Sequence, residues 1–248
     1  MFSRLCAVLA LLVSVSGLAG ELKVLYLTGG GYHDYKKQAE YIPTEMAKLA
    51  NFKFDVKWAQ KATSEVFPDE KYADGYDVVI YNFCFAAEKD PTIIERALKV
   101  MREGKPTVMM HCSMHTYMAS DAWTDCCGLR TRSHDGFRNF TITKATTDHP
   151  IVKALPEEWK TLGDELYRNI AFPETSTALL KANSIESKKD HVIAWCHTYG
   201  KSKVFGTTLG HDMKTISTPE FIKLLVNGTL WAADKLDKDG KPVEGLGK

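Results

Sequence analysis

Lys105-Pro-Thr-Val-Met-Met-His-Cys-Ser-Met-His115 links a charged segment ending at Gly104 to a short apolar run, Val108 to Met110. That run stops abruptly at polar, nucleophilic and metal-capable side chains. A buried parallel strand opening into a loop reads this way: covered on both faces, it is continuously apolar, and the loop beyond its carboxyl end carries the groups that face a ligand. His111, Cys112 and His115 therefore stand where chemistry is expected in an open α/β sheet.

The flanking sequence extends the pattern. Leu22 to Leu27 reads as a first buried strand running into Thr28-Gly-Gly-Gly-Tyr-His-Asp34, where three glycines allow a sharp turn or a close approach. A helix over Tyr35 to Ala50 follows, with Pro43 as a blemish, and then an alternating strand, Phe52 to Trp58, near a sheet edge. Tyr76 to Phe83 forms the third strand and delivers Cys84 to the same crevice. Pro91 starts a helix to Arg102 whose Ile93, Ile94, Ala97, Leu98 and Met101 share one face.

Beyond Ser120 the rhythm changes to short strands at Phe140 to Lys144, Leu162 to Tyr167, Ala178 to Lys181, Val192 to Tyr199 and Val204 to Thr208. A short helical segment after Asp148-His-Pro150 interrupts them, and Gly200-Lys-Ser202 marks a hairpin. A closing helix over Pro219 to Asp234 precedes a polar, frayed tail. The expected fold is α/β, a three-layer sandwich around a mainly parallel central sheet, with antiparallel strands added in the second half.

The formal charge of +1 over 248 residues supplies no field to attract nucleic acid. Arg4, the apolar run Leu5 to Val15 and the small residues Ser16 to Gly20 resemble a cleavable signal peptide over residues 1–20, followed by a domain over 21–235 and a polar tail over 236–248. The expectation is a secreted or periplasmic protein with no membrane association after cleavage. In an oxidising compartment the five remaining cysteines, Cys84, Cys112, Cys126, Cys127 and Cys196, cannot all pair within one chain. Buried small hydrophobes describe most of them.

His33, His111 and His211 each fall just past an apolar strand, so neighbouring strands would make their imidazoles converge. Glu165 and His134 are polar candidates from the second half. One chemistry is a divalent metal, zinc first, held by His33, His111 and His211 with a position left for substrate. The other is general acid–base work by His111 and His211, with Asp212 or Glu165 orienting one of them. Tyr32, Tyr117 and Tyr167 suit stacking on sugar rings. The glycine turn lacks both the dinucleotide pattern and a phosphate-binding lysine, so no nucleotide cofactor is expected. A Cys112 nucleophile with His211 as base is a further alternative.

Leu27-Thr-Gly-Gly-Gly-Tyr-His-Asp34, Gly104 to His111, Asp148 to Ile151, Asp164-Glu-Leu-Tyr167, Ala194 to Lys201, Val204 to Asp212 and Phe221 to Ala233 together resemble the ThuA-like, or trehalose utilisation, family. The resemblance implies a flavodoxin-like fold similar to class I glutamine amidotransferases. It also implies a pocket using His33, His111, His134, Glu165, Tyr167, His197 and His211. In those amidotransferases a cysteine occupies the elbow; here His111 does, and the thiol is displaced to Cys112, so glutamine hydrolysis is not expected. The implied function is an exported enzyme acting on a disaccharide or keto-sugar. Its catalytic set is His111, His211, Asp212 and Glu165, and Tyr32, Cys112, His115, His134, Tyr167 and His197 contact substrate. A non-catalytic sugar-binding protein on the same fold is the alternative from another class.

Overall fold

A computed structural model describes residues 20–248, so the expected signal peptide lies outside the described residues apart from Gly20. The first half of the chain alternates strand and helix: β1 (Leu22–Gly30), α1 (Tyr35–Leu49), β2 (Phe52–Ala59), β3 (Val78–Cys84), α2 (Pro91–Arg102) and β4 (Thr107–Met110). Strands β3 and β4 are buried along their whole length, which is why their sequences are uninterrupted by charge. Asp34 and Asp90 cap the two long helices by accepting from the backbone N–H of Lys37 and Thr92. Helix α1 runs through Pro43, which is buried.

The second half supplies α3 (Asp121–Cys127), β5 (Arg130–His134), β6 (Thr141–Lys144), α4 (Pro150–Lys153), β7 (Glu158–Lys160), β8 (Tyr167–Ala171), β9 (Thr177–Asn183), β10 (Asp190–Tyr199), β11 (Ser202–Thr207), α5 (Met213–Ile216) and α6 (Pro219–Ala232). One sheet runs β2-β1-β3-β4-β11-β10-β9-β6-β7, and β5 pairs with β8 in a separate ribbon. Pairings from β2 to β11 are parallel, and those from β11 to β7 are antiparallel. Strand β11 is the joint: it returns from the β10 hairpin through Gly200, whose φ of 58° suits glycine, and lies parallel to β4.

Alternate residues of the central strands face two separate cores. Val24, Tyr26, Val78 and Ile80 pack with Ile42, Met46, Phe221 and Leu225 of α1 and α6. Leu25, Leu27, Val79 and Tyr81 pack with Ile94, Leu98 and Trp123 of α2 and α3. This is the expected three-layer sandwich, with a mixed sheet that is parallel across its first strands and antiparallel across the later ones.

Two expectations need correction. Leu162 to Leu166 is a loop, and the strand starts only at Tyr167; the carboxylate of Asp164 is buried in that loop and binds backbone N–H groups of a neighbouring loop. The tail is docked and not frayed: Leu246 is buried, its carbonyl accepts from Asn51, and Lys153 pairs with Asp239. No helix among the described residues is long and apolar enough to cross a membrane.

Candidate functional site

The site lies at the carboxyl ends of β1, β3, β4 and β11. A Cβ on Gly29 would fall 1.9 Å from the Ala59 carbonyl oxygen, and one on Gly30 2.3 Å from that of Cys84. Only glycine lets β1 run between its two neighbours to its end and then turn to present His33. After β4 the chain enters a 3-10 turn over His111–His115, with His111 in the left-handed region at φ 43°. A non-glycine residue held there is a strained elbow of the sort found at functional sites. His111 is 1% exposed, and its Nδ1 lies 2.6 Å from the Thr208 carbonyl just past β11. A carbonyl only accepts, so Nδ1 carries a hydrogen and Nε2 is the ring nitrogen turned to the pocket.

The His33 ring centroid is 4.6 Å from that of His111 and 4.8 Å from that of His211. One ring nitrogen from each of the three residues falls within a 4.8 Å set. The buried Nδ1 of His33 has no hydrogen-bond partner, and Nε2 of His111 faces the pocket, 3.3 Å from the Tyr167 hydroxyl. Such a donor set fits a divalent cation.

The second half closes the site. Glu165 Oε2 is 3.6 Å from His111 Nε2 and 3.2 Å from His211 Nδ1, the latter a charge contact without hydrogen-bond alignment; Oε1 is 3.6 Å from His134 Nε2. Asp164, fully buried, holds this loop against the one after β11. Its carboxylate accepts from the backbone N–H of Gly210 (2.9 Å), of His211 (3.2 Å) and of Glu165 (2.8 Å). From the other side Gln38 donates to the Gly210 carbonyl, and Asn82 donates to Gln38. Tyr167 donates its hydroxyl to His111 Nε2 at 3.3 Å, and its ring lies between His115, 4.4 Å away and nearly parallel, and His134 at 5.7 Å.

Burial lowers the His33 pKa to about 3, helped by His111 and His211, and burial lowers that of His115 to about 4. Both rings are therefore neutral near pH 7. Burial works to raise the Glu165 pKa, but its contacts with His111 and His211 outweigh burial and hold the carboxyl well below the ordinary range. Contact with the Glu165 carboxylate in turn raises the pKa of His211. The centre combines a stable carboxylate, neutral imidazoles and one imidazole that favours its proton.

A pocket of about 500 Å³ opens onto this centre and is lined by Tyr32, His33, Cys84, Cys112, His115, Arg132, His134, Glu165, Tyr167 and His211 among others. Four expected residues need correction. Cys112 is in the wall, but its sulfur is bonded to Cys84, so no thiolate exists there to attack a substrate. His197 lies outside the pocket, its Nε2 2.8 Å from the Cys126 carbonyl and its ring against Gly128. Asp212 does not contact an imidazole side chain; it caps α5 through the N–H of Lys214. Tyr117 is likewise buried away from the pocket, against Trp123 and Thr63. Asp164, Arg132 and the disulfide were missed. For the disulfide a signal existed, since two cysteines at the ends of adjacent parallel strands fall within bridging distance. Cys126, Cys127 and Cys196 are buried free thiols, as expected of small hydrophobes.

The sequence profile of the family described as "Trehalose utilisation" (ThuA) matches residues 23–232. A ThuA-like protein from Parabacteroides merdae has a similar fold, with a TM-score of 0.70 at 20% identity over 92% of this chain and 97% of that one. One from Bacteroides uniformis aligns with a TM-score of 0.70 at 15% identity, over 90% and 96% of the two chains. A cytoplasmic protein from Salmonella typhimurium aligns with a TM-score of 0.64 at 14% identity, over 85% and 99%. No curated protein sequence matches the chain.

Proposed function

Because the chain belongs to the trehalose utilisation (ThuA) family, we propose that it is an exported sugar-processing enzyme acting on a disaccharide or keto-sugar. The observation that supports this most is the convergence of His33, His111 and His211 around the Glu165 carboxylate in one pocket. In this reading the three imidazoles would hold a divalent cation, zinc first, which would supply Lewis-acid polarisation of a substrate oxygen. Glu165, charged at neutral pH, orients His211 and holds its proton, and Tyr167 fixes the ring of His111. Tyr32, His134 and His115 bound the space for the sugar. Because His211 favours its proton, cation loading weakens as pH falls.

Elemental analysis of protein purified without a histidine tag should find about one divalent ion per chain. His111→Ala should lose that ion and lower turnover of the disaccharide or its keto derivative by about 10³-fold. Absence of a stoichiometric ion removes the cation, and unchanged turnover in the variant removes His111 from the mechanism. Measurable sugar affinity with no turnover of any sugar identifies a binding protein. Export is checked by N-terminal sequencing, which should start within a residue or two of Gly20.

A further inference from the structure

We propose that the pocket selects sugars bearing a carboxylate, which Arg132 in the pocket wall binds; this rests on the sugar-processing reading above. The guanidinium stands out by its partners. Its neighbours are each matched by an acid: Arg130 by Asp121, Arg138 by Asp135 and Arg168 by Glu186. Arg132 has only neutral partners, donating through Nη1 to the Thr131 carbonyl (2.8 Å) and through Nη2 to the Met118 carbonyl (2.8 Å) and Thr124 Oγ1 (3.5 Å). No carboxylate among the described residues comes within ion-pair range of it. Yet it is half-buried and lines the pocket that holds the histidines. A charge withdrawn from water without a counter-charge is costly, and a ligand anion removes that cost.

The surroundings fit one negative charge. Two carbonyls hold the guanidinium in place, leaving free N–H groups for a planar acceptor. Also in the wall, His115 is locked by stacking on Tyr167, and its buried Nε2 has no partner. The positive field of Arg132 reaches this ring and helps to lower its pKa. A neutral imidazole has one N–H to donate to a second carboxylate oxygen. A single cation with a neutral donor matches a carboxylate better than a phosphate dianion. A sugar anchored there by its acid group extends its remaining hydroxyls toward Glu165 and the three imidazoles.

The test compares D-glucuronate, D-glucose and glucose 6-phosphate by calorimetry on the intact mature protein. Wild type should bind D-glucuronate at least about tenfold more tightly than D-glucose, the ratio expected of one charged hydrogen-bonded contact. Arg132→Gln should bring that ratio close to one, and Arg132→Lys, which keeps the charge but not the fork, should retain part of it. Equal affinities in wild type, or an undiminished ratio in Arg132→Gln, overturn the proposal while leaving the sugar pocket standing. Tighter binding of glucose 6-phosphate than of D-glucuronate overturns the carboxylate assignment. Failure of all three sugars to bind overturns this proposal, whereas the reading on which it rests falls only if no disaccharide or keto-sugar is bound or turned over.

Discussion

The two halves of this chain contribute to one pocket by different physical means. In the parallel half, His33 and His111 arrive because each follows a buried strand, and the sheet itself places strand ends side by side. In the antiparallel half, Glu165 and His134 lie off the central sheet, on a loop and on a two-stranded ribbon. What anchors that loop is a buried carboxylate, Asp164, accepting three backbone N–H groups. His211, past the joint strand β11, belongs to both schemes: the parallel sheet delivers it and Asp164 aims it. Sheet topology therefore positions the imidazoles, whereas loop contacts position the acid between them: the Asp164 carboxylate, main-chain pairing of Asp164 with Arg138, and Thr215 donating to the Gly163 carbonyl.

This contrast can be broken at either end. The largest stability effect should come from the sheet side, where the Cys84–Cys112 bond ties the end of β3 to the elbow turn across a sequence separation of 28. Replacing both cysteines by serine should cost about 3 kcal/mol in urea unfolding, from the loop-closure entropy returned to the unfolded chain. If strand ends alone set the imidazoles, turnover in that variant survives under folding conditions.

Asp164→Asn should cost less, about 2 kcal/mol, because one acceptor remains while the amide nitrogen opposes a backbone N–H. It should nevertheless lower turnover about tenfold or more by releasing Glu165 and His211 together. A variant that keeps full turnover would show that the loop is held by something other than this carboxylate.

The smallest effect is in pH dependence. His115 has a folded pKa of about 4, below its ordinary 6.5, so the unfolded chain binds the proton first as pH falls. Its contribution is fully present above pH 6.5 and is lost progressively toward pH 4. The depressed Glu165 acts in the same direction below the ordinary carboxylate pKa, whereas the raised His211 opposes both. Between pH 7 and 6 the His115 loss should be under about 1 kcal/mol, with a similar loss from His33, whose pKa of about 3 is also depressed. His115→Gln should therefore reduce the slope of the melting temperature profile there without abolishing it. An unaltered profile would place the acid sensitivity elsewhere in the pocket.

The parts of the fold legible from the chain were those with local causes. Continuous apolar runs marked β1, β3 and β4, helical spacing marked α2 and α6, and glycines marked the turns before His33 and His211. Each signal lies within about ten residues, as periodicity and turn chemistry do. The ribbon strands β5 and β8 are short and half-exposed, so they carry no clear period, and Leu162 to Leu166 passed for a strand because its apolar residues bracket a buried Asp164. The polar tail looked free because few apolar residues, Leu236, Val243 and Leu246, do the docking.

Sequence by itself determined the α/β architecture and three histidines placed just beyond apolar strands, since these follow from short-range patterns of burial and turn. Only the tertiary structure decided which of the polar residues meet. It paired Cys112 with Cys84 and so removed a nucleophile, turned His197 and Asp212 away from the pocket, and left Arg132 in its wall without a matching acid. The physical reason is that hydrogen bonds and charge contacts act across distances in space that spacing along the chain does not encode, here 46 residues between Asp164 and the N–H of Gly210.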